Sequence, residues 1–172
     1  MKNVFTLAAL AAVSTVVAAS PAVAAGDSES YTINLNGSVA SNCELTPEGS
    51  TNSTVDMLNT GNQLFQVITY SCNSPYTVSL KSLNGGMKHA ESSGAVNIDY
   101  NVEATFGGFS TVNSANMQAA PVVIVTDNDW TNILLNGGIR TGNLDLDFDG
   151  ATEYAVAGTY SDTLTITLAA NY

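Results

Sequence analysis

The chain has 172 residues, with 15 acidic side chains against 4 lysines and arginines, for a formal net charge of −11. Nucleic acids and anionic membranes are held by clustered cations, so this balance excludes both as partners. One histidine and two cysteines also leave almost no raw material for a metal centre or a nucleophile–histidine pair.

In chain order, Lys2 gives a positive start, residues 4–19 are almost wholly apolar, and Ala22, Ala24 and Ala25 are small residues suited to signal peptidase. This pattern predicts a secretory signal peptide over residues 1–25, with no membrane insertion after cleavage. The apolar core is short for a membrane span, and a polar run over residues 26–30 follows it at once. Removal of the signal leaves a mature chain of about 147 residues, the size of one domain, and only Lys81, Lys88 and Arg140 as cations.

Residues 31–39 alternate, with Tyr31, Ile33, Leu35 and Val39 on one side and polar residues between them, which predicts a half-buried strand. Two N-glycosylation patterns, Asn36-Gly37-Ser38 and Asn52-Ser53-Thr54, matter only in a host that performs the modification. Cys43 and Cys72, an even count behind a secretory signal, predict one disulfide. Closing that loop of about 30 residues contributes about 3.6 kcal/mol in the chain-entropy account. Alternation returns at Tyr76, Val78 and Leu80, and again over residues 96–103 at Val96, Ile98, Tyr100 and Val102, with Asp99 and Glu103 on the solvated side.

The stretch from 106 to 136 is less regular. Pro121-Val122-Val123-Ile124-Val125 reads as a fully buried strand, and residues 127–135 as a short helix or a turn. Trp130, beside Asp127, Asn128 and Asp129, is a packing residue or part of a saccharide surface. Asp145-Leu146-Asp147-Phe148-Asp149-Gly150 opens like an EF-hand calcium loop, but position twelve is Val156 and Glu153 stands only at position nine. A strand with Leu144, Leu146 and Phe148 inward explains every residue of that segment. Leu164, Ile166 and Leu168 alternate with threonines at the end of the chain.

Turn signals separate these runs at Asn84-Gly85-Gly86, Gly107-Gly108, Asn136-Gly137-Gly138 and Asp149-Gly150. Many short strands between such turns predict a single all-β domain over residues 26–172, a β-sandwich. No Gly-x-Ser-x-Gly elbow appears, His89 sits in a polar stretch, and paired carboxylates fall on solvated strand faces. The chain therefore reads as a non-enzyme without cofactor or metal.

Three segments carry a resemblance. Ile33-Asn34-Leu35-Asn36-Gly37-Ser38-Val39-Ala40-Ser41-Asn42-Cys43 resembles the start of a chaperone-usher pilus subunit. Tyr70-Ser71-Cys72-Asn73-Ser74-Pro75-Tyr76-Thr77-Val78-Ser79-Leu80 is similar to the second-cysteine segment of the spore coat protein U family, which includes the archaic chaperone-usher pilins. Gly158-Thr159-Tyr160-Ser161-Asp162-Thr163-Leu164 resembles that family's Gly-x-Tyr-x-Asp-x-hydrophobic ending. The resemblance implies an incomplete immunoglobulin-like sandwich, completed by the N-terminal strand of another subunit. Tyr31, Ile33, Leu35 and Val39 would be donor residues within a segment spanning 26–40, and Leu164, Ile166 and Leu168 the groove edge and chaperone contact. Implied partners are identical or related pilins, a periplasmic chaperone, an outer-membrane usher, and a host or abiotic surface. The location would be a fimbrium reached through the periplasm, or the medium, and the role adhesion or biofilm formation. If residues 31–39 are instead the protein's own first strand, the chain is a tip subunit or a non-polymerising coat protein. A secreted saccharide- or surface-binding module is the alternative from another class.

Overall fold

The computed structural model describes residues 29–135, 139–148 and 155–171. The expected signal peptide and the turns at 136–138 and 149–150 lie outside the described residues. The chain divides into two units, residues 1–38 and 39–172. In the described part of the first, residues 29–38, there is no regular secondary structure, and Tyr31, Ile33 and Leu35 are exposed. The strand expected over residues 31–39 is therefore not formed within this chain, because no ladder supplies its backbone partners among the described residues.

The second unit is an all-β sandwich built from antiparallel ladders. Its strands are β1 (Cys43–Glu48), β2 (Gln63–Cys72), β3 (Tyr76–Ser82), β4 (Met87–His89), β5 (Asn97–Ile98), β6 (Asn101–Thr105), β7 (Phe109–Asn113), β8 (Val122–Asp127), β9 (Ile139–Asp147), β10 (Tyr160–Ser161) and β11 (Leu164–Ala170). A five-stranded sheet runs β1-β2-β9-β6-β7, a three-stranded sheet β11-β3-β8, and a small sheet β10-β4-β5. Two short helices, α1 (Ser114–Ala119) and α2 (Trp130–Leu135), lie in the irregular middle.

Period-two alternation places the core. Ile68 and Tyr70 of β2, Val102 and Ala104 of β6, and Leu144 and Leu146 of β9 are buried together with Val78 and Leu80 of β3 and with Phe106 and Phe148. Asp145 and Asp147 alternate with these buried residues, as the strand reading of that segment requires.

Three expectations are corrected. The run 96–103 keeps its buried face but breaks into β5 and β6, because Tyr100 leaves the ladder to exchange both of its backbone bonds with Ser114: its N–H donates to Ser114 Oγ at 3.1 Å and its carbonyl accepts from Ser114 N–H at 2.8 Å. Strand β8 is half-buried rather than fully buried, since it is an edge strand paired only with β3, and Val123 is 57% exposed. Trp130 does not pack into the sandwich and is 56% exposed. Helix α1 was not legible as a helix from its six residues, although Asn113 ahead of it is a good cap and its side chain accepts from Ala115 N–H at 3.0 Å.

Candidate functional site

The most distinctive place in the sandwich is a seam between its two sheets. β1 ends the five-stranded sheet and β11 ends the three-stranded one, and the two lie side by side with no ladder joining them. Each strand therefore has one edge of backbone N–H and C=O groups without strand partners among the described residues.

The apolar side chains at this seam are only partly covered. Leu164, Ile166, Leu168 and Ala170 point from β11 toward the core and stay half-buried, while Thr165, Thr167 and Ala169 are exposed. Leu45 of β1 and Val55 and Met57 of the following loop are half-buried against the same core. Sequence reasoning found the β11 residues through their alternation. It missed Leu45, Val55 and Met57, which stand among prolines, threonines and acids with no periodicity to mark them.

Both edges are held firmly in place. Cys43 and Cys72 are directly opposite in the β1–β2 register and are joined by the expected disulfide. Pro47 is tolerated in β1 because an edge strand can do without one N–H. β11 follows β3 without a break, from Leu164 opposite Ser82 to Ala170 opposite Tyr76. Its start is anchored by Asp162, whose Oδ2 accepts from Ser82 Oγ at 2.5 Å and Tyr100 Oη at 2.6 Å. Its Oδ1 accepts from Asn84 N–H at 2.9 Å and Thr163 N–H at 2.7 Å. Burial, and then the Asp162 carboxylate beside it, push the Tyr100 phenol well above its ordinary range.

The other two letters of the closing motif act on His89, which is buried although its neighbours in sequence are polar. Tyr160 meets the imidazole edge-on at 4.8 Å, and Gly158, at φ +154°, lies so close that a Cβ there would come within 2.0 Å of His89 Nε2. The Nε2 atom is 3.2 Å from the Ala157 carbonyl and 3.4 Å from Glu91 Oε2. This histidine thus packs the loop that leads into β10 and β11.

Of the proposed donor residues, Tyr31, Ile33, Leu35 and Val39 are all exposed, at 79–90%. Among the described residues no three histidine, cysteine, aspartate or glutamate side chains converge as metal ligands, and Asp149 and Glu153 of the calcium-like segment lie outside those residues. No described helix is long and apolar enough to cross a membrane. Comparison with family models, curated proteins and solved structures gave no match for the chain.

Proposed function

We propose that this chain is a structural subunit of a bacterial surface fibre, of the spore coat protein U and archaic pilin kind, assembled by the chaperone-usher route. Residues 31–39 of one copy add as a strand to the sandwich of the next. The observation that carries this reading is a complementarity within one sequence. Two neighbouring strand edges, with half-buried Leu45, Leu164, Ile166 and Leu168, have no ladder between them. An alternating segment of the same chain has exposed apolar residues and no ladder of its own.

Strand addition resolves both conditions at once. Backbone hydrogen bonds join the incoming segment to the edges, and alternate side chains enter between the sheets. Full burial of Ile33, Leu35 and Val39 stabilises the joint by about 1.5–3 kcal/mol for each side chain. Before assembly the same seam is an aggregation hazard, which gives a periplasmic chaperone its purpose, with Leu164, Ile166 and Leu168 as its contact. The subunit is exported, ends on the cell surface, carries no catalytic group or cofactor in this role, and serves adhesion or biofilm formation.

The test is the double substitution Ile33→Asp with Leu35→Asp, made in cells that carry the cognate chaperone and usher. Burying two carboxylates in an apolar seam costs more than the two side chains contributed. Fibres counted by electron microscopy should disappear, while the purified subunit keeps the melting temperature of the wild-type monomer. Fibre yield equal to wild type would overturn the donor assignment.

A further inference from the structure

Three Asn-Gly pairs stand in the sequence, at 36–37, 84–85 and 136–137, the last outside the described residues. Such a pair can modify itself covalently. The glycine nitrogen, once deprotonated, attacks Cγ of the asparagine: the N–Cγ bond forms, the Cγ–Nδ2 bond breaks, and Nδ2 takes a proton from water and leaves as ammonia. Water then opens the cyclic imide. Cleavage of the new N–Cγ bond gives aspartate, and cleavage of the original peptide bond gives isoaspartate, whose main chain runs through Cβ and Cγ. The balance is ammonia lost and water gained, with no electron transfer. The reaction needs an N–H open to base, a backbone free to bring that nitrogen onto Cγ, and no Cβ on the second residue to obstruct the attack.

Asn84-Gly85 fails these requirements. Asn84 Nδ2 donates to the Ser161 carbonyl at 3.1 Å and its backbone N–H to Asp162 Oδ1 at 2.9 Å, so the side chain and the backbone are both held. Gly85 is buried, and its N–H donates to Ser82 Oγ at 2.7 Å. Attack there first requires local opening of the turn between β3 and β4.

Asn36-Gly37 meets all of them. Both residues are exposed, in a stretch without regular secondary structure. Neither the Gly37 N–H nor the Asn36 amide has a hydrogen-bond partner among the described residues. A Cβ built on Gly37 would meet nothing within 4 Å, so nothing crowds the path of the nitrogen to Cγ.

The pair lies between Leu35 and Val39, inside the segment assigned above as the donor strand. A strand inserted between two edges commits each of its N–H groups to one neighbour or the other, which takes the Gly37 nitrogen out of reach of base. Either product puts a carboxylate at position 36. Isoaspartate also adds a methylene to the main chain, which throws Val39 out of phase with Ile33 and Leu35. We infer that Asn36-Gly37 is an ageing site: in the unassembled subunit Asn36 converts to aspartate and isoaspartate, assembly halts the conversion, and a converted subunit is a poor donor. The conversion itself is independent of the chain's role, whereas the halt and the poor donation rest on the fibre reading.

The full exported protein, kept dilute in mildly alkaline or mildly acidic buffer, is sampled over time, digested and mapped by mass spectrometry, with isoaspartyl methyltransferase as the probe for isoaspartate. Asn36 should be lost about tenfold or more faster than Asn84, the equivalent of about 1.4 kcal/mol of local opening at the folded pair. The loss should be faster in the alkaline buffer. Gly37→Ala, which has open space around it, should slow the conversion, and Asn36→Gln should suppress it, because the longer side chain must close a less favourable six-membered ring. An intact Asn36, or equal loss at Asn36 and Asn84 in folded protein, overturns the ageing site. Fibres assembled from fresh protein and held in the same alkaline buffer should keep Asn36. Subunits aged beforehand should give fewer fibres, whereas ageing should leave the yield of Asn36→Gln at its own starting value. Fibres that form yet lose Asn36 as fast as the monomer overturn the halt and leave the fibre reading standing. Fresh wild-type subunits that form no fibres with their chaperone and usher overturn the fibre reading, while the mass map still decides the ageing site.

Discussion

Gly142 faces the ring of Phe106 so closely that a Cβ would lie 2.5 Å from two ring carbons. Phe106 is 1% exposed and leans on Tyr70 at 5.2 Å, so an added methyl would have to displace both rings toward the space they line. Glycine in a strand interior usually weakens it, so its presence in β9 marks a close approach. Gly142→Ala should therefore destabilise the domain by about 1–3 kcal/mol, the usual cost of overpacking a full core. Urea unfolding followed by Trp130 fluorescence checks this, and a loss under about 0.5 kcal/mol would show that the ring can move aside. Gly158 is under a comparable constraint from His89, and there the positive φ adds a second reason for glycine.

At the level of elements, β11 depends on how the residues just ahead of it are tied down. Asp162 collects donors from Ser82, Asn84, Tyr100 and Thr163, so one carboxylate joins β11 to β3 and to the residue ahead of β6. Asp162→Ala would leave the Tyr100 hydroxyl and Ser82, which is 0% exposed, short of a partner. Hydrogen bonds to a charged group contribute about 1.5–3 kcal/mol each, so a loss of about 3 kcal/mol is expected, with hydrogen exchange faster across β11 than across β2 and β9. Equal acceleration in all three strands would instead mean that the seam edge has no local anchor. The strands around this anchor were legible wherever alternation ran for several residues, as in β3, β9 and β11. The anchor itself was legible only as a resemblance, because its partners are up to 80 residues apart and share no spacing. Residues 31–39 carried the clearest strand pattern of all and formed no strand, since alternation specifies which side chains share a face and cannot supply a neighbouring backbone. The cluster of Tyr70, Tyr76, Phe106, Asp127 and Arg140 was the least legible, as its residues come from β2, β3, β8, β9 and the β6–β7 turn.

For the molecule as a whole, two buried phenols tie folding to alkaline pH. Burial is the leading cause in both cases, with the Asp162 carboxylate adding at Tyr100, and the Tyr70 hydroxyl and Asp127 adding at Tyr76 against the pull of Arg140. Both folded-state values are raised above an unfolded value of about 10. Stability from each group is then fully present below about pH 10 and is lost as pH rises toward the folded-state value, because the unfolded chain releases the proton first. Each phenol steepens the loss by about 1.4 kcal/mol per pH unit once its unfolded form has titrated. Urea unfolding between about pH 8 and pH 11.5 should show a flat region followed by a fall carrying two protons. Tyr100→Phe and Tyr76→Phe should each remove one proton from that slope, whatever they do to stability at neutral pH, and the double variant should remove both. A slope unchanged in Tyr100→Phe would mean that the Asp162 anchor opens before the rest of the sandwich unfolds, and the seam edge would then be a locally mobile element in the isolated subunit.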